Sequence, residues 1–384
     1  MLGLLTLVLA QGWQLCAPMP TPGYAFACVS VGSRVYAIGG LISEADSAVP
    51  RLAVEAYDAA ADSWVVGFSP PPGPRWYAGC AELDGKIYVI GGYDGTTELS
   101  RVDRFDPASN TWDTVAPLPW PRSALAGCTF EGRAYAIGGF STTLGTYRRA
   151  VARFSPDSGV GQWVVVESLV TRRASPAAAV ASGRMCAVGG KYYNDLPTFE
   201  FYQPESSRWW QSWRDMHVAR SGAGAIGWGR WLCAIGGLGH HGPLSSVEVI
   251  DVGDWDYTWE YTTPLSVRRA FCGAAVASGF VVVVGGRSEY GTEGSVEKSD
   301  STLFPTGIEE PQNQVEVGQA PVWATVASGR VRINCRHAAV YDGSGRRVYA
   351  GSGPVDVRLA PGVYIARVTG EDDRRVTGTI TVVR

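Results

Sequence analysis

Charged residues are scarce in this chain, at 18% of its 384 residues, and stretches with the 3.6-residue apolar period of a helix are scarcer still. A helical bundle is therefore excluded. No basic excess exists either: the formal net charge is -3 and the isoelectric point near 5.9, whereas a nucleic-acid binder normally concentrates positive charge on one face. Nucleic acid is set aside as a partner. No apolar run is long enough to span a bilayer, so no transmembrane segment is expected. CxxC, HExxH, a P-loop, GxSxG and a sialidase-type Asp box are all missing, and no cofactor or metal is expected. The adjacent pair His240-His241 is read as exposed loop, since neighbouring histidines rarely converge on one ion and His217 and His337 stand alone.

What the chain has instead is 48 Gly, 14 Trp and 17 Tyr, a composition suited to many short strands joined by tight turns. At 41.0 kDa it is too long for one ordinary core, so several domains or a repeat is expected. The N-terminal run Leu2 to Ala10 is too short to cross a membrane and reads as a signal peptide over residues 1–10. It implies export.

A repeat is visible. Six Gly-Gly pairs each end an apolar run: Gly39-Gly40, Gly91-Gly92, Gly138-Gly139, Gly189-Gly190, Gly236-Gly237 and Gly285-Gly286, spaced 52, 47, 51, 47 and 49 residues apart. In each unit a small-residue strand leads through a turn such as Asp84-Gly85 or Ser182-Gly183 into the apolar strand, because Gly supplies the positive φ of a two-residue hairpin. A third strand follows, as in VEAYD from Val54 or VEVID from Val247, and a fourth opens at Trp64, Trp112, Trp163, Trp209 or Trp210, and Trp259. Four antiparallel strands per unit of roughly 50 residues is the pattern of a propeller blade. Five of the eight cysteines obey this register: Cys28 and Cys80 lie 11 residues before a pair, Cys128 lies 10, and Cys186 and Cys233 lie 3. They are read as small buried residues rather than disulfides.

Gly-Gly, then Tyr/Phe-Asp, then Trp resembles the kelch repeat, over about residues 13 to 304. Local departures are Cys186, Cys233 and Val282 at the usual Tyr position, and Ser155 in place of Asp. The expected fold is all-β, a six-bladed kelch β-propeller over residues 11–305 followed by a small β-sandwich. Because Trp13 precedes the first pair and no Trp follows the last third strand, WQLCAPMP should close the ring as the outer strand of the sixth blade, leaving no open sheet edge there.

Residues 306–314 are polar and read as a linker, with Glu309-Glu310 as solvated charges. Beyond it, residues 315–384 alternate like strands between Gly and Pro turns. The arrangement Val340-Tyr341-Asp342, Gly345-Arg346 and Leu359 to Tyr364 resembles the C-terminal sorting domain of type IX secretion cargo, though Pro-Asn-Pro and the terminal Lys-Val are absent. This resemblance implies a bacterial protein that passes through the periplasm, engages the secretion machinery and ends secreted or on the cell surface.

Sixteen residues before each pair stand Gly23, Arg75, Arg122, Arg173, Arg220 and Arg269, and directly after the pairs stand Leu41, Tyr93, Phe140, Lys191, Leu238 and Arg287. Hairpin geometry brings both sets to one mouth of the channel. The candidate ligand site is therefore Arg75, Arg122, Arg173, Arg220, Arg269, Tyr93, Lys191 and Arg287, fit for an anionic ligand through guanidinium hydrogen bonds. In kelch propellers that bind peptides these positions form the pocket, so the resemblance implies the same here. The arginines also have a structural reading, as bonds to loop carbonyls of neighbouring blades. Gly222-Ala-Gly224-Ala-Ile-Gly227 matches GxGxxG but runs into a strand, not a helix, and is not read as a nucleotide site. The expected function is that of a monomeric, exported binding module for a protein, peptide or acidic glycan. A sugar-active enzyme resembling the kelch-type sialic-acid epimerases is the main alternative, and it requires an acid beside the arginines. A surface spacer is the third.

Overall fold

The structure is a computed structural model that describes residues 12–43, 48–156, 160–253, 258–300 and 303–304 with their side chains, and seven backbone strands between residues 324 and 382. The expected leader at residues 1–10, the expected linker at 306–314 and Cys335 lie outside the described residues. The chain divides into one unit of residues 1–128 and 134–305 and another of residues 129–133 and 306–384.

Six four-stranded antiparallel sheets make up the first unit. Their inner strands are Ala27–Val31, Gly79–Leu83, Ala126–Phe130, Ala177–Ala181, Gly224–Trp228 and Gly273–Ala277. These strands approach so closely that only small residues fit. A Cβ at Gly227 would fall 1.8 Å from the carbonyl oxygen of Val180 on the neighbouring blade. The second strands, such as Arg34–Ile38 and Trp231–Ile235, are buried on both faces, which is why they read as continuous apolar runs rather than alternating ones. Third and outer strands meet through an aromatic pair in direct register: Tyr57 on Trp64, Phe105 on Trp112, Phe154 on Trp163 and Tyr202 on Trp209, with ring centroids 4.9–5.8 Å apart. Trp209 thus takes the repeat position, and Trp210 is 49% exposed.

The ring closes as the order of elements requires. Gln14–Cys16 pairs antiparallel with Gly291–Ser299 of the sixth blade, Trp13 Nε1 donates to Thr263 O at 2.8 Å, and Met19 is buried in the first core. One departure is local to that blade. Its second strand does not stop at Gly285-Gly286 but runs from Phe280 to Ser288 with a bulge between Val284 and Gly286. The return strand starts at Gly291, so the connection is too short to form the separate side hairpin seen elsewhere.

Two rings of backbone hydrogen bonds bind the blades together. The amide of the second glycine in each pair donates to the next blade, Gly40 to Arg75, Gly92 to Arg122, Gly139 to Arg173, Gly190 to Arg220, Gly237 to Arg269 and Gly286 to Gly23, at 2.8–2.9 Å. That glycine sits at φ of 93–113°, a region closed to side chains. Nearer the axis, Ala25, Tyr77, Ala124, Ser175, Gly222 and Phe271 all lie at φ of 47–54°, and each donates its amide to the preceding member, closing a cycle of six bonds of 2.7–3.0 Å.

The second unit contains a three-stranded sheet, in which Arg330–Ile333 pairs with Ala324–Ala327 and Val355–Arg358, and a four-stranded sheet in the order Arg347–Ser352, His337–Asp342, Gly362–Thr369, Arg375–Val382.

Candidate functional site

The central channel is a poor place for chemistry. Its cavity of about 150 Å³ is lined by alanines, glycines, three cysteines and the rings of Phe26, Tyr77 and Phe271, with no charged side chain. The cysteines are thiols held protonated by burial, with Cys28 pushed up to about 12 and Cys80 well above its ordinary value.

All five repeat arginines sit just before their inner strands, and all are buried, at 0–4% exposure. In the fourth, fifth and sixth blades the pattern is uniform. Nη1 of Arg173, Arg220 and Arg269 donates to the carbonyls of Gly189, Gly236 and Gly285, at 2.6, 2.8 and 3.0 Å. Nη2 reaches a hydroxyl, that of Thr198, Ser246 or Ser295, and a buried carboxylate, that of Glu200, Glu248 or Glu297. The Nη donors are thus committed within their own blade, to its carbonyls and acid, and not to the loop carbonyls of neighbouring blades that the structural reading expected. In these four arginines with an acid, Arg75 included, burial depresses the charged form wherever a shift is seen; Arg75 falls to about 10 even beside Asp103.

The carboxylates do a second job that explains their length. Glu200 accepts the amides of Val170 and Thr171, Glu248 those of His217 and Val218, and Glu297 those of Ser266 and Val267, at 2.6–3.3 Å. Each pair lies three and two residues before the arginine. The first three blades carry Pro20, Pro72 and Pro119 at the first of these positions, and proline has no amide to satisfy. Their acids change accordingly: Glu55 accepts one loop amide, from Thr21, Asp103 replaces Glu in the second blade, and Ala152 stands in the third.

The first blade has Gly23 where the others have arginine, yet a guanidinium occupies the same place. Arg51 enters from the connection between the second and third strands, donating to Gly39 O and Ala53 O at 3.1 Å and pairing with Glu55 at 2.5 Å. A Cβ on Gly23 would fall 2.6 Å from its Cδ. Sequence register alone missed Arg51.

The mouth itself is made by the segments after the Gly-Gly pairs. Leu41, Tyr93, Phe140, Lys191, Leu238 and Arg287 each bridge back to the residue that follows the repeat arginine position. Leu41 is buried, Tyr93 is half-buried with its ring edge-on to Trp76, and Lys191 and Arg287 are exposed. On the third and fourth blades Phe140, Tyr147, Tyr192 and Tyr193 form a chain of ring contacts at 4.7–5.6 Å. Tyr193 is 73% exposed at φ 62°, an unusual backbone state for an aromatic residue. Lys191, Arg149 and Arg172, on the same two blades, are exposed and Arg148 is half-buried; Arg172 Nη1 donates to Thr146 Oγ1, next to Tyr147, at 3.1 Å. The nearby acids are engaged internally: Glu98 is buried and accepts Thr142 N and Oγ1, and Asp195 accepts Ser221 Oγ. The tyrosine cluster was not among the expected site residues, although the loop segments TYRR and KYY carry its signal.

His240 and His241 are exposed and edge-on to one another, and no metal-binding cluster of His, Cys, Asp or Glu occurs among the described residues. Gly222 belongs to the axial cycle and Gly224 opens a strand, so the GxGxxG match holds no helix.

Comparison with known proteins agrees with this architecture. The kelch motif model matches residues 74–119, which is the second blade from its arginine to its outer strand. Kelch-like protein 35 of Mus musculus is 29% identical over 341 residues, covering 86% of this chain and 46% of its own length. Kelch repeat and BTB domain-containing protein 13 of Homo sapiens is 32% identical over 30% of this chain and 25% of its own. The chain therefore spans less than half the length of these curated relatives. A solved structure described as that of YjhT superposes with a TM-score of 0.59 at 18% identity, covering 74% of this chain and 95% of the other. The chain carries the kelch motif and is a six-bladed β-propeller.

Proposed function

We propose that the propeller is a binding module that takes an acidic protein segment or peptide on the third- and fourth-blade quadrant of its mouth. The observation that carries this reading is the ring cluster of half-buried Tyr147 with exposed Tyr192 and Tyr193, next to Lys191 in the same segment and to Arg172, which bonds Thr146. Large, rigid aromatic side chains with cations beside them are the anchors that dominate protein interfaces. Positive groups there also steer an acidic partner and select its orientation. Kelch propellers as an architecture suit protein binding, and the smooth apolar channel offers no competing site.

The test is an array of acidic peptides and acidic glycans probed with the full chain and with a Lys191→Ala/Tyr192→Ala/Tyr193→Ala variant. Peptide hits lost in the variant support the reading. Hits confined to glycans, or unaffected by the substitutions, overturn it, and turnover of a hit would make the protein an enzyme.

We further propose, on the resemblance around Val340 to Tyr364, that the C-terminal unit is a sorting signal and that the protein is exported through the periplasm. Fusing residues 315–384 to a periplasmic reporter in a type IX-competent host tests this. A reporter retained in the periplasm refutes it.

A further inference from the structure

The third blade departs from the other five at the guanidinium site. Arg122 is 2% exposed and donates to Gly138 O, Ala150 O and Ala136 O at 2.8–3.3 Å. Its Nε has no partner, as is also true of Arg173 Nε in the fourth blade, so the difference lies in the Nη groups. Where the fourth to sixth blades provide a hydroxyl and a glutamate, as Thr198/Glu200, Ser246/Glu248 and Ser295/Glu297, this blade provides Ala150 and Ala152. Its Nη2 is left with one long carbonyl contact at 3.3 Å. No described acid pairs with Arg122.

A second cation stands beside it. The segments RLAVEAYD from Arg51 and RRAVARFS from Arg148 align residue for residue, and Arg148 N donates to Gly139 O as Arg51 N does to Gly40 O. Arg148 therefore occupies the position from which Arg51 serves the first blade. There Gly23 leaves room and Glu55 supplies the charge; here both arginines are present and the acid is gone. Burial, with Arg148 adding to it, pushes Arg122 down to about 9. A buried charge without a partner is a costly arrangement in a protein interior.

We infer that the third blade is built to receive a carboxylate from outside, which binds Arg122 and Arg148 in the place that a glutamate side chain fills in the fourth, fifth and sixth blades. Glutamate exceeds alanine by a CH₂–COO⁻ group, which has the heavy-atom skeleton of acetate. The ligand class is thus a small carboxylate, or the Asp or Glu side chain of an acidic partner. Arg148 is half-buried, so the pair is open to solvent on its side. The pair lies at the foot of the hairpin that bears Tyr147, and the macromolecular source rests on the proposed function of the mouth; the free-carboxylate source does not.

The experiment is thermal denaturation of the full chain in potassium acetate against potassium chloride at equal ionic strength, with isothermal titration of acetate. Saturable stabilisation by acetate is expected for the wild type. In Ala152→Glu the increment should vanish because the built-in carboxylate occupies the site. In Arg148→Ala, which alters a half-buried side chain and should fold, acetate should bind about tenfold more weakly, the effect of losing one charge-assisted bond. An amidated glutamate-rich peptide and its glutamine counterpart identify the source. Competition with acetate by the glutamate peptide alone assigns a partner's side chain, and acetate binding without competition assigns a free carboxylate. Equal responses to acetate in wild type and both variants overturn the inference, while leaving peptide capture by Lys191 and the tyrosines untouched.

Discussion

Replacing Arg220 and Arg122 separately by alanine should separate two kinds of buried arginine. Arg220→Ala leaves Glu248 at 0% exposure with only the amides of His217 and Val218 and the His217 ring for partners. Removing one member of a buried ion pair in this way costs about 3–5 kcal/mol, because the remaining charge is stranded. Arg122→Ala strands no acid. It removes three carbonyl contacts, worth about 1.5–3 kcal/mol each with a charged donor, but it also removes an uncompensated buried charge, whose burial costs several kcal/mol. The net loss should be about 1–2 kcal/mol. With a urea slope of about 3 kcal/mol/M, a gap of roughly 2 kcal/mol puts the two midpoints ~0.7 M apart. Arg220→Met/Glu248→Leu should recover only part of the loss: an apolar pair removes the stranded charge, but the amides of His217 and Val218 lose their acceptor. Urea unfolding followed by tryptophan fluorescence measures all of these. An Arg122→Ala variant as unstable as Arg220→Ala would refute the argument that the carboxylate, and not the carbonyl contacts, makes these arginines indispensable.

Deleting residues 12–20 should lower the urea midpoint sharply, since it strips the outer strand of the sixth blade, Trp13 and the buried Met19; unchanged midpoints would contradict the closure. Cys28, Cys128 and Cys186, each raised to about 12 by burial, should resist a thiol-disulfide reagent at pH 8 in a Cys335→Ser background and react once the protein unfolds, and rapid labelling of the native protein would count against this core. Asp62 accepts Ala17 N and the Tyr57 hydroxyl, and the Ala17 amide first of all holds its carboxyl below the usual 3.8. Its folded value being depressed, its contribution is present above the unfolded pKa and lost as acid titrates the folded group. Melting curves of Asp62→Asn and wild type should therefore differ at pH 6 and converge below about pH 4, and a difference that persists into acid would be inconsistent with this role.

The blades were readable in the sequence because each repeats one physical constraint. Gly-Gly is needed where positive φ and close approach coincide, and Trp is needed where the outer strand covers Tyr or Phe. The repeat also located the closing strand, since one Trp stood before the first pair and none after the last third strand. Burial of the arginines was less legible. Register brings them to the mouth, but only the carboxylates on the third strands show which way the guanidinium groups are directed. Those acids are visible as VEAYD, VDRFD, FEFYQ, VEVID and VEKSD, and the break at VARFS is equally visible once their partners are known. The tyrosine cluster depends on how two hairpin segments, one on each of two blades, are arranged, which no spacing encodes.

If the guanidinium site is a place in the blade rather than a residue in the sequence, its occupant should be transferable. The first blade tests this, because it fills the site from Arg51 while Gly23 stands at the repeat position. Blades four and five carry Leu196 and Leu244 where the first carries Arg51. Arg51→Leu alone strands Glu55 and should cost about 3–5 kcal/mol. Gly23→Arg alone places a side chain 2.6 Å from Arg51 Cδ and two guanidinium groups on one acid, an overpacking cost of about 1–3 kcal/mol. The double variant rebuilds the arrangement of the fourth and fifth blades, with one arginine, one glutamate and one leucine. It should return to within about 1 kcal/mol of the wild type, giving a coupling energy above the 0.5–3 kcal/mol usual for residues in contact. A double variant whose loss equals the sum of the single losses would mean that positions 23 and 51 do not share a site, and that Arg51 does not stand in for the repeat arginine in stabilising the first blade.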